Sequence, residues 1–339
     1  MKQTMPILPH PVRSPLFGLL VSAAMLLPAG CAPETATPAK VQGNEEYVHG
    51  ALAYQEGDRE RAIAALQSAL RENPDLIMAR FLLGSIYRDK GEYESAAEQY
   101  KRVVELDPFV YSNHYNLGLM YHLLDRLQDA AASYLQALKL NPQDVKSNMN
   151  LGLVYTALGR ADLGLPYARK ATEIDPRSAE AFANYGVVLD SLRQYPQAEA
   201  AYRRAMELDS ARVETPVNLA SNLVSQKRYR EAISVFEQVL KTKDSSLLRQ
   251  RYGHALLLAC RTDDAIKQFQ NAIAQNAGNY QAYNGIGDAL LGQYRASAML
   301  DEKKRSEALA SWKKSLELNP NQPRISALIK EYSEGQLFP

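Results

Sequence analysis

The chain has 339 residues, of which 46% are hydrophobic, with 18 glycines and 17 prolines. This composition fits either two ordinary domains or one extended helical array, so length and composition leave both architectures open. The 39 basic and 38 acidic side chains give a formal charge of +1, a balance that provides no electrostatic argument for binding nucleic acid.

The amino terminus has the order of residues expected of a cleaved export signal. Lys2 and Arg13 are the only charged residues before the apolar run 16–27, which is too short to cross a bilayer. Small residues and Cys31 follow at once. We therefore predict a signal peptide at residues 1–30.

The residues just before Cys31 indicate which type of export signal this is. Ala29 and Gly30 next to Cys31 resemble the lipobox of bacterial lipoproteins, although Pro28 stands where that family usually has leucine. The resemblance implies that the Cys31 sulfur is diacylglycerated and becomes the new amino terminus. The alternative is ordinary secretion with cleavage after Ala32. Alanine after the cysteine resembles outer-membrane sorting, which implies the periplasmic face of the outer membrane if the source is Gram-negative.

Residues 31–42 are rich in Pro, Ala and Thr, and this composition predicts a flexible, lipid-anchored tether. Cys260 is the only other cysteine. If Cys31 is acylated, no internal disulfide can form and stability must come from packing.

Beyond the tether the sequence repeats with a period of 34 residues. Three series of small or helix-ending residues share this period. Glycine or alanine occurs at Gly50, Gly84, Gly118, Gly152, Gly186, Ala220, Gly253 and Gly287, and small residues at Ala62, Ala96, Ala130, Gly164, Ala198, Ala232 and Ala265. Proline occurs at Pro74, Pro108, Pro142 and Pro176. We expect each glycine to let a second helix approach, with the alanine twelve positions later as the surface that it meets, and each proline to end that second helix.

The unit NLGLMYHLLDRLQDAAASYLQALKLNP at residues 116–142 has the Leu-Gly, Tyr, Ala, aromatic, Ala and Pro order of the tetratricopeptide family, and the chain resembles that family over nearly its whole mature length. The resemblance implies an all-α fold, a right-handed superhelical solenoid with a C-terminal capping helix. Eight repeats and this cap span residues 43–76, 77–110, 111–144, 145–178, 179–212, 213–246, 246–279, 280–322 and 323–335.

Two repeats depart from the pattern. Between the sixth and seventh repeats the spacing is 33 and the proline is missing, which predicts an irregular junction. The eighth repeat has about nine extra residues near 293–303. They are either a helix extension or a loop that reaches a partner, and the extension is favoured because residues 296–300, ASAML, suit a helix.

Motifs of catalysis are missing from the sequence. There is no Walker loop, HExxH, GxSxG or CxxC, and Gly285-Ile286-Gly287 lies inside a predicted helix and does not follow a strand. The five histidines are scattered, and Cys260 has no neighbouring histidine to activate it, so we predict a packed thiol. We therefore expect no enzyme, no cofactor, no metal site and no small-molecule substrate.

One series of polar residues suggests recognition. Asparagine precedes the small residue of the repeat by two positions at Asn116, Asn150, Asn184 and Asn218, with Lys146 one helical turn before Asn150 and Arg251 in the equivalent place of the seventh repeat. In the family this stripe lines the concave surface. Stacked asparagines there resemble the ladder of the O-linked N-acetylglucosamine transferase repeats, whose amides grip the backbone of an extended peptide.

An amide offers both a donor and an acceptor, so it matches a peptide bond whatever the side chain. Asn116, Asn150, Asn184, Asn218, Lys146 and Arg251 are therefore the predicted peptide-binding groove. The competing interpretation is that asparagine is common at this position and bonds locally.

The sequence thus predicts a membrane-anchored scaffold or assembly factor of the bacterial cell envelope that holds a protein or extended peptide. The segment FANYGVVLDSLRQYPQAEAAYRRAMEL at 182–208 is similar to repeats of lipoproteins that assist pilus secretins. The alternative is an adaptor that recruits cell-wall, polysaccharide-export or glycosyltransferase enzymes. Nothing in the chain separates the two, because one fold serves many functions.

Overall fold

The structure is a computed structural model that describes residues 43–333. The predicted signal peptide, Cys31 and the tether lie outside these residues, as do residues 334–335 of the predicted cap. The described residues form seventeen α-helices and no strand, which confirms the all-α fold class. Across this range no helix is long and apolar enough to cross a membrane.

Sixteen of the helices form eight consecutive helix-turn-helix pairs, one in each repeat. The first helices of the pairs are α1 (Asn44–Gln55), α3 (Ile77–Lys90), α5 (Tyr111–Leu123), α7 (Val145–Ala157), α9 (Ala179–Ser191), α11 (Glu214–Ser225), α13 (Ser246–Leu258) and α15 (Tyr280–Ala296). The second helices are α2 (Arg59–Glu72), α4 (Tyr93–Leu106), α6 (Leu127–Leu140), α8 (Ala161–Ile174), α10 (Tyr195–Leu208), α12 (Tyr229–Leu240), α14 (Thr262–Gln275) and α16 (Glu302–Leu318). The last helix is α17 (Pro323–Ser333).

The helices group into two compact units, one of residues 43–147 and 157–159 and one of residues 148–156 and 160–333. The first unit buries aliphatic and aromatic side chains such as Leu66 and Tyr100 between its helices. The second unit has a long core that includes Tyr202, Phe236 and Phe269. Each unit therefore holds its helices through an apolar core of its own.

In most pairs the repeat glycine faces a large ring, which corrects the predicted contact with the small residue twelve positions on. That contact is confirmed in the first pair, where a Cβ atom at Gly50 would lie 3.2 Å from the carbonyl oxygen of Ala62, and in the fourth. A Cβ atom at Gly186 would lie 2.6 Å from Cε1 of Tyr202, sixteen positions later. The same offset joins Gly84 to Tyr100 and Gly253 to Phe269. The ring packs between the two helices of the pair, and the absence of a Cβ atom on the glycine makes room for it. The small residue twelve positions after the glycine allows the two helix backbones to approach each other.

The fourth pair is packed differently. Ala168 takes the place of the aromatic ring, and Gly164 replaces the usual alanine, so the two backbones approach directly. A Cβ atom at Gly164 would lie 2.6 Å from the carbonyl oxygen of Gly152, and one at Gly152 would lie 3.0 Å from Cβ of Ala168. This contact leaves no room for an added methyl group without moving a helix.

The turn within each of the first seven pairs contains one residue in the left-handed conformation. Glycine fills this place in three turns, and other residues fill it in four: Gly57, Gly91, Asp125, Gly159, Arg193, Lys227 and Cys260. The prediction of a packed thiol at Cys260 is wrong, because Cys260 lies in the turn after α13 and is exposed. Only glycine adopts this conformation without steric strain.

The junction between the sixth and seventh repeats is irregular. Helix α12 has 12 residues where α10 and α14 have 14, and residues 241–245 lead into α13. Arg249 pairs with Asp244 at 2.7 Å and holds the pKa of that carboxyl down to about 2. Ser245 caps α13 by accepting a hydrogen bond from the amide of Leu248.

In the eighth repeat the extra residues mostly lengthen the helices, since α15 and α16 each have 17 residues. The turn at 297–301 nevertheless corrects the expectation that the whole of 296–300 is helical. Ala298 and Met299 have φ angles of 53° and 61°, which no right-handed helix contains. Helix α17 covers the end of the second unit, where its Ile325 is buried in the cluster around Trp312.

Candidate peptide-binding face

The predicted binding residues occupy one position on successive first helices. Asn116 on α5 and Lys146 at the start of α7 belong to the first compact unit. The second unit contains Asn150 on α7, Asn184 on α9, Asn218 on α11 and Arg251 on α13. We call Asn116, Asn150, Asn184 and Asn218 the asparagine register. In the second unit α9 packs on α11 and α11 on α13, so its members lie on neighbouring helices.

Three members of the asparagine register present open amides. Asn116, Asn184 and Asn218 are half-buried, and within residues 43–333 their side chains make no hydrogen bond. The interpretation that these asparagines are used for local bonding therefore does not hold for the three. Each amide keeps a donor and an acceptor for another molecule or for water.

Asn150 and Lys146 differ from these three. Asn150 is only 8% exposed and is engaged in an interaction of its own, so it does not present an open amide. Lys146 is exposed. Of the four asparagines in the register, three therefore have side-chain amides without a partner in the described protein, and one, Asn150, is buried and engaged.

Arg251 combines burial with an unsatisfied charge. Its side chain is half-buried, and no carboxylate or carbonyl of residues 43–333 pairs with its guanidinium. Burial lowers its pKa, and the nearby Tyr202 hydroxyl opposes that shift. Burying a cation without a partner is costly, so this position favours the approach of an anion.

A buried polar network joins α9, α10 and α11 beside the asparagine register. Asn222 on α11 donates hydrogen bonds to Oδ1 of Asp190 and, at 3.1 Å, to the carbonyl of Tyr195. Tyr202 donates to Oδ2 of Asp190 at 2.8 Å, and Gln226 donates to Oδ1 of Asn222 at 2.7 Å. We call these residues the α9–α11 network.

Burial raises the pKa of Asp190 despite the hydrogen bonds that it accepts from Asn222 and Tyr202. Burial and the neighbouring Asp190 also raise the pKa of Tyr202 well above its usual value. Every polar atom named in the network has a partner inside the protein, so the network holds helices together and offers nothing to a ligand.

Sequence reasoning missed the α9–α11 network, although a signal was present. Asn222 stands 34 residues after Val188, at a position filled by apolar side chains in four preceding repeats: Ile86, Met120, Val154 and Val188. All four are fully buried. A polar residue in such a series indicates a buried polar contact.

Neither of two surface cavities lies on the asparagine register. One of about 340 Å³ is lined by residues 227–231, in the turn before α12 and at the start of that helix, and by Ala259. The other, of about 350 Å³, lies in the first unit between Arg80, Tyr87 and their neighbours. Within the described part of the chain no group of three or more His, Cys, Asp or Glu side chains is placed to hold a metal ion.

Solved structures share this arrangement of helices. A tetratricopeptide repeat protein from Parabacteroides merdae matches with a TM-score of 0.61 and 18% identity, over 70% of this chain and 94% of that one. PilF of Pseudomonas aeruginosa matches with a TM-score of 0.52 and 19% identity, over 64% of this chain and 98% of its own. The anaphase-promoting-complex assembly Cut9–Hcn1 gives 0.60 and 15%, over 81% of this chain and 52% of that one. At these identities the matches show a common fold.

Comparison with curated protein sequences finds no match. Family profiles described as tetratricopeptide repeat match residues 47–111, 84–145 and 124–179, residues 167–200, and residues 223–294. These matches cover more than half of the chain and include all eight helix pairs in whole or in part. Their fold is that of a scaffold, consistent with a role in binding proteins. The chain belongs to the tetratricopeptide repeat family.

Proposed function

We propose that the protein is a non-catalytic scaffold of the bacterial cell envelope that binds an extended protein segment across the first helices of its second compact unit. The observation that carries this proposal is the pair of open amides at Asn184 and Asn218. They lie at one position of neighbouring helices, half-buried and without hydrogen bonds to the described protein.

The chemistry of an amide suits a main chain. Each asparagine can accept from a peptide N–H and donate to a peptide carbonyl, so a row of them holds a backbone with little regard to its side chains. Asn116 presents the same open amide in the first unit. A partly buried amide also gains more from a hydrogen bond than one fully in water, because the surrounding dielectric is lower.

A scaffold role rather than an enzymatic one agrees with the family and with the polar clusters that the structure describes. The buried titratable groups Asp190 and Tyr202 are saturated by protein partners in the α9–α11 network. They are therefore structural and are not poised to transfer a proton to a substrate.

Attachment to the membrane is the second part of the proposal and comes from the sequence. The lipobox-like residues before Cys31 support acylation there, with the tether at 31–42 connecting lipid to the first helix. Several acyl chains on one cysteine would give the stable attachment that a single chain lacks.

Replacing Cys31 by Ala tests the anchor. The variant should accumulate as uncleaved precursor or leave the membrane fraction, while the wild-type protein should carry lipid mass on its amino-terminal residue. Wild-type protein that fractionates as wholly soluble, without that mass, would reject the anchor and leave the binding proposal untouched.

Site-specific photo-crosslinking in cells tests the binding face. A photoreactive residue in place of Asn218 should capture a protein that the same residue in place of Ser234 does not capture. Ser234 is the matched control because it is exposed on α12, the second helix of the same repeat. Equal capture at both positions, or capture at Ser234 alone, would place the binding surface elsewhere.

A further inference from the structure

The first helix of the seventh repeat carries an unpacked stripe that differs from those of the repeats before it. Leu247, Arg251, His254 and Leu258 follow one another at helical spacing along α13. Both leucines are about two-fifths exposed, at 39% and 40%, although the helix buries others such as Leu248 and Leu256. We call these four residues the α13 stripe.

The corresponding stripes of the two preceding repeats are more polar. They carry Glu180, Asn184, Val187 and Ser191 on α9, and Glu214, Asn218, Ser221 and Ser225 on α11. The acids of those stripes already face cations of the protein, since Arg212 lies 4.0 Å from Glu180 and Lys243 lies 3.4 Å from Glu214. The charge of the α13 stripe has no such neutralising partner.

Comparison with the other arginines of the described chain shows that a half-buried arginine without a partner is unusual here. Several others are at most partly exposed, and each of these has a carboxylate or hydrogen-bonding partner: Arg80, Arg88, Arg102, Arg212, Arg228, Arg249 and Arg305. Among residues 43–333, Arg251 alone is withdrawn from solvent without a partner. Its neighbour Arg249 is bound by both carboxylate oxygens of Asp244 at 2.8 and 2.7 Å.

We propose that the α13 stripe selects the bound segment by an acidic side chain that pairs with Arg251 and by apolar side chains that cover Leu247 and Leu258. This rests on the proposed function, and it adds sequence selectivity to a face whose amides read only the backbone. A planar guanidinium binds a carboxylate through two parallel hydrogen bonds, and partial burial strengthens such a pair. The flanking leucines exclude water from it.

The acid belongs inside the segment and not at its carboxyl terminus. The first helices continue past the stripe, because α13 also packs on α15. The segment therefore has helix surface on both sides of Arg251, on α11 and on α15. A side-chain carboxylate allows the main chain to continue, whereas a terminal carboxylate would end it at Arg251.

Selection of displayed random peptides on the purified mature chain tests this assignment. Peptides selected by the wild-type protein should be enriched in Asp or Glu with apolar neighbours. Selection on Arg251→Gln should lose the acidic enrichment, and selection on Arg251→Glu should favour Lys or Arg. The matched control is Arg249→Gln, which removes an arginine of the same helix that is already paired and should keep the preference for acids.

Binding measurements with one selected peptide then show how much its acidic residue contributes to affinity. Replacing its acidic residue by the corresponding amide should weaken binding to the wild-type chain about tenfold or more, and to Arg251→Gln by less than about threefold. An acidic preference that survives in Arg251→Gln, peptides without an acid, or a preference for a terminal carboxylate would overturn the assignment while leaving the peptide-binding proposal in place. Failure to select any peptide would overturn the proposed function and this inference with it.

Self-association is a separate outcome. If the purified chain dimerises and Leu247→Asp or Arg251→Gln makes it monomeric without changing peptide selection, the stripe is an interface between two copies. That result would contradict the assignment to a partner segment.

Discussion

Asn218 and Asn222 lie one helical turn apart on α11 and have opposite surroundings. Asn222 is 1% exposed, donates to Asp190 and to the carbonyl of Tyr195, and accepts from Gln226. Asn218 is half-buried and makes no hydrogen bond within the described chain. An asparagine side chain therefore links neighbouring helices at position 222, whereas at position 218 its amide is available to another molecule.

The difference follows from what each turn of α11 meets, because the two residues lie on nearly the same face of the helix. Asn222 points at a position where other repeats place Val or Met, so it is covered by α9 and α10 and must find partners there. Asn218, one turn nearer the start of α11, is left partly exposed. Asn222 is therefore buried and fully hydrogen-bonded, whereas the amide of Asn218 keeps its donor and acceptor free, as the proposed binding role requires.

The largest effect on stability is expected from Asn222→Ala. The substitution leaves the buried carboxylate of Asp190 without one of its two donors, at a cost of about 2 to 3 kcal/mol in the free energy of unfolding. Urea denaturation measures this cost, and hydrogen exchange should place it in α9 to α11. A loss no larger than that of an ordinary surface substitution would show that the network contributes little.

The loss of stability in Asn222→Ala should become smaller as the pH falls. Burial raises the pKa of Asp190, and loss of the Asn222 donor raises it further. A raised carboxyl pKa means that the folded state binds the proton more tightly than the unfolded state, so acid favours folding at this group. The deficit of Asn222→Ala should therefore be greatest at neutral pH and shrink as Asp190 becomes protonated.

A second, somewhat smaller loss is expected from Gly164→Ala. The added methyl would lie 2.6 Å from the carbonyl oxygen of Gly152, so α7 and α8 must separate, at a cost of about 1 to 3 kcal/mol. Alanine is the better helix former and stands at this position in other repeats, so the propensity scale alone predicts a gain. A stabilised variant would contradict the direct contact of the two backbones.

A gain in stability is expected from Lys227→Gly. Lys227 has a φ angle of 63° in the turn after α11, where Gly91 and Gly159 stand in other repeats. Glycine removes the steric strain but adds entropy to the unfolded chain, which leaves a net gain of up to about 1 kcal/mol. The converse variant Gly91→Ala serves as control and should lose stability in the same denaturation experiment.

The smallest effect on stability is expected from Asn218→Ala. No hydrogen bond of the described protein is lost, so the free energy of unfolding should change by no more than about 0.5 kcal/mol. Thermal unfolding beside Asn222→Ala makes the comparison direct. If Asn218→Ala proved as costly as Asn222→Ala, the distinction between the open and the closed asparagine would fail.

The sequence predicted the helix pairs well because their signals repeat. A small residue, an aromatic residue and a proline return every 34 positions, and each has a local steric meaning. The contact of Gly152 with Gly164, twelve positions later, has the predicted offset. The hydrogen bonds of Asn222 were not predicted, because they depend on which residues face each other across neighbouring helices, and a pattern shared by the repeats does not reveal an exception in one of them.

The sequence predicted on which helices the candidate binding residues lie, but not how far each is buried or bonded. Four asparagines look alike in the sequence, but Asn150 is buried and engaged whereas Asn184 and Asn218 are open. The unpaired charge of Arg251 could not be read from the sequence either. Whether a carboxylate lies beside a guanidinium is decided by packing, as the saturated Arg249 two residues earlier demonstrates.

The most direct test measures binding of the protein captured by the photoreactive residue at position 218 to the wild-type chain and to the double variant Asn184→Ala, Asn218→Ala. If each amide contributes about 0.5 to 1.5 kcal/mol, the double variant should bind about fivefold to 150-fold more weakly, with the same melting temperature within a few degrees. An unchanged Kd, or a loss of binding that only accompanies a large fall in the melting temperature, would contradict the claim that these open amides hold the partner.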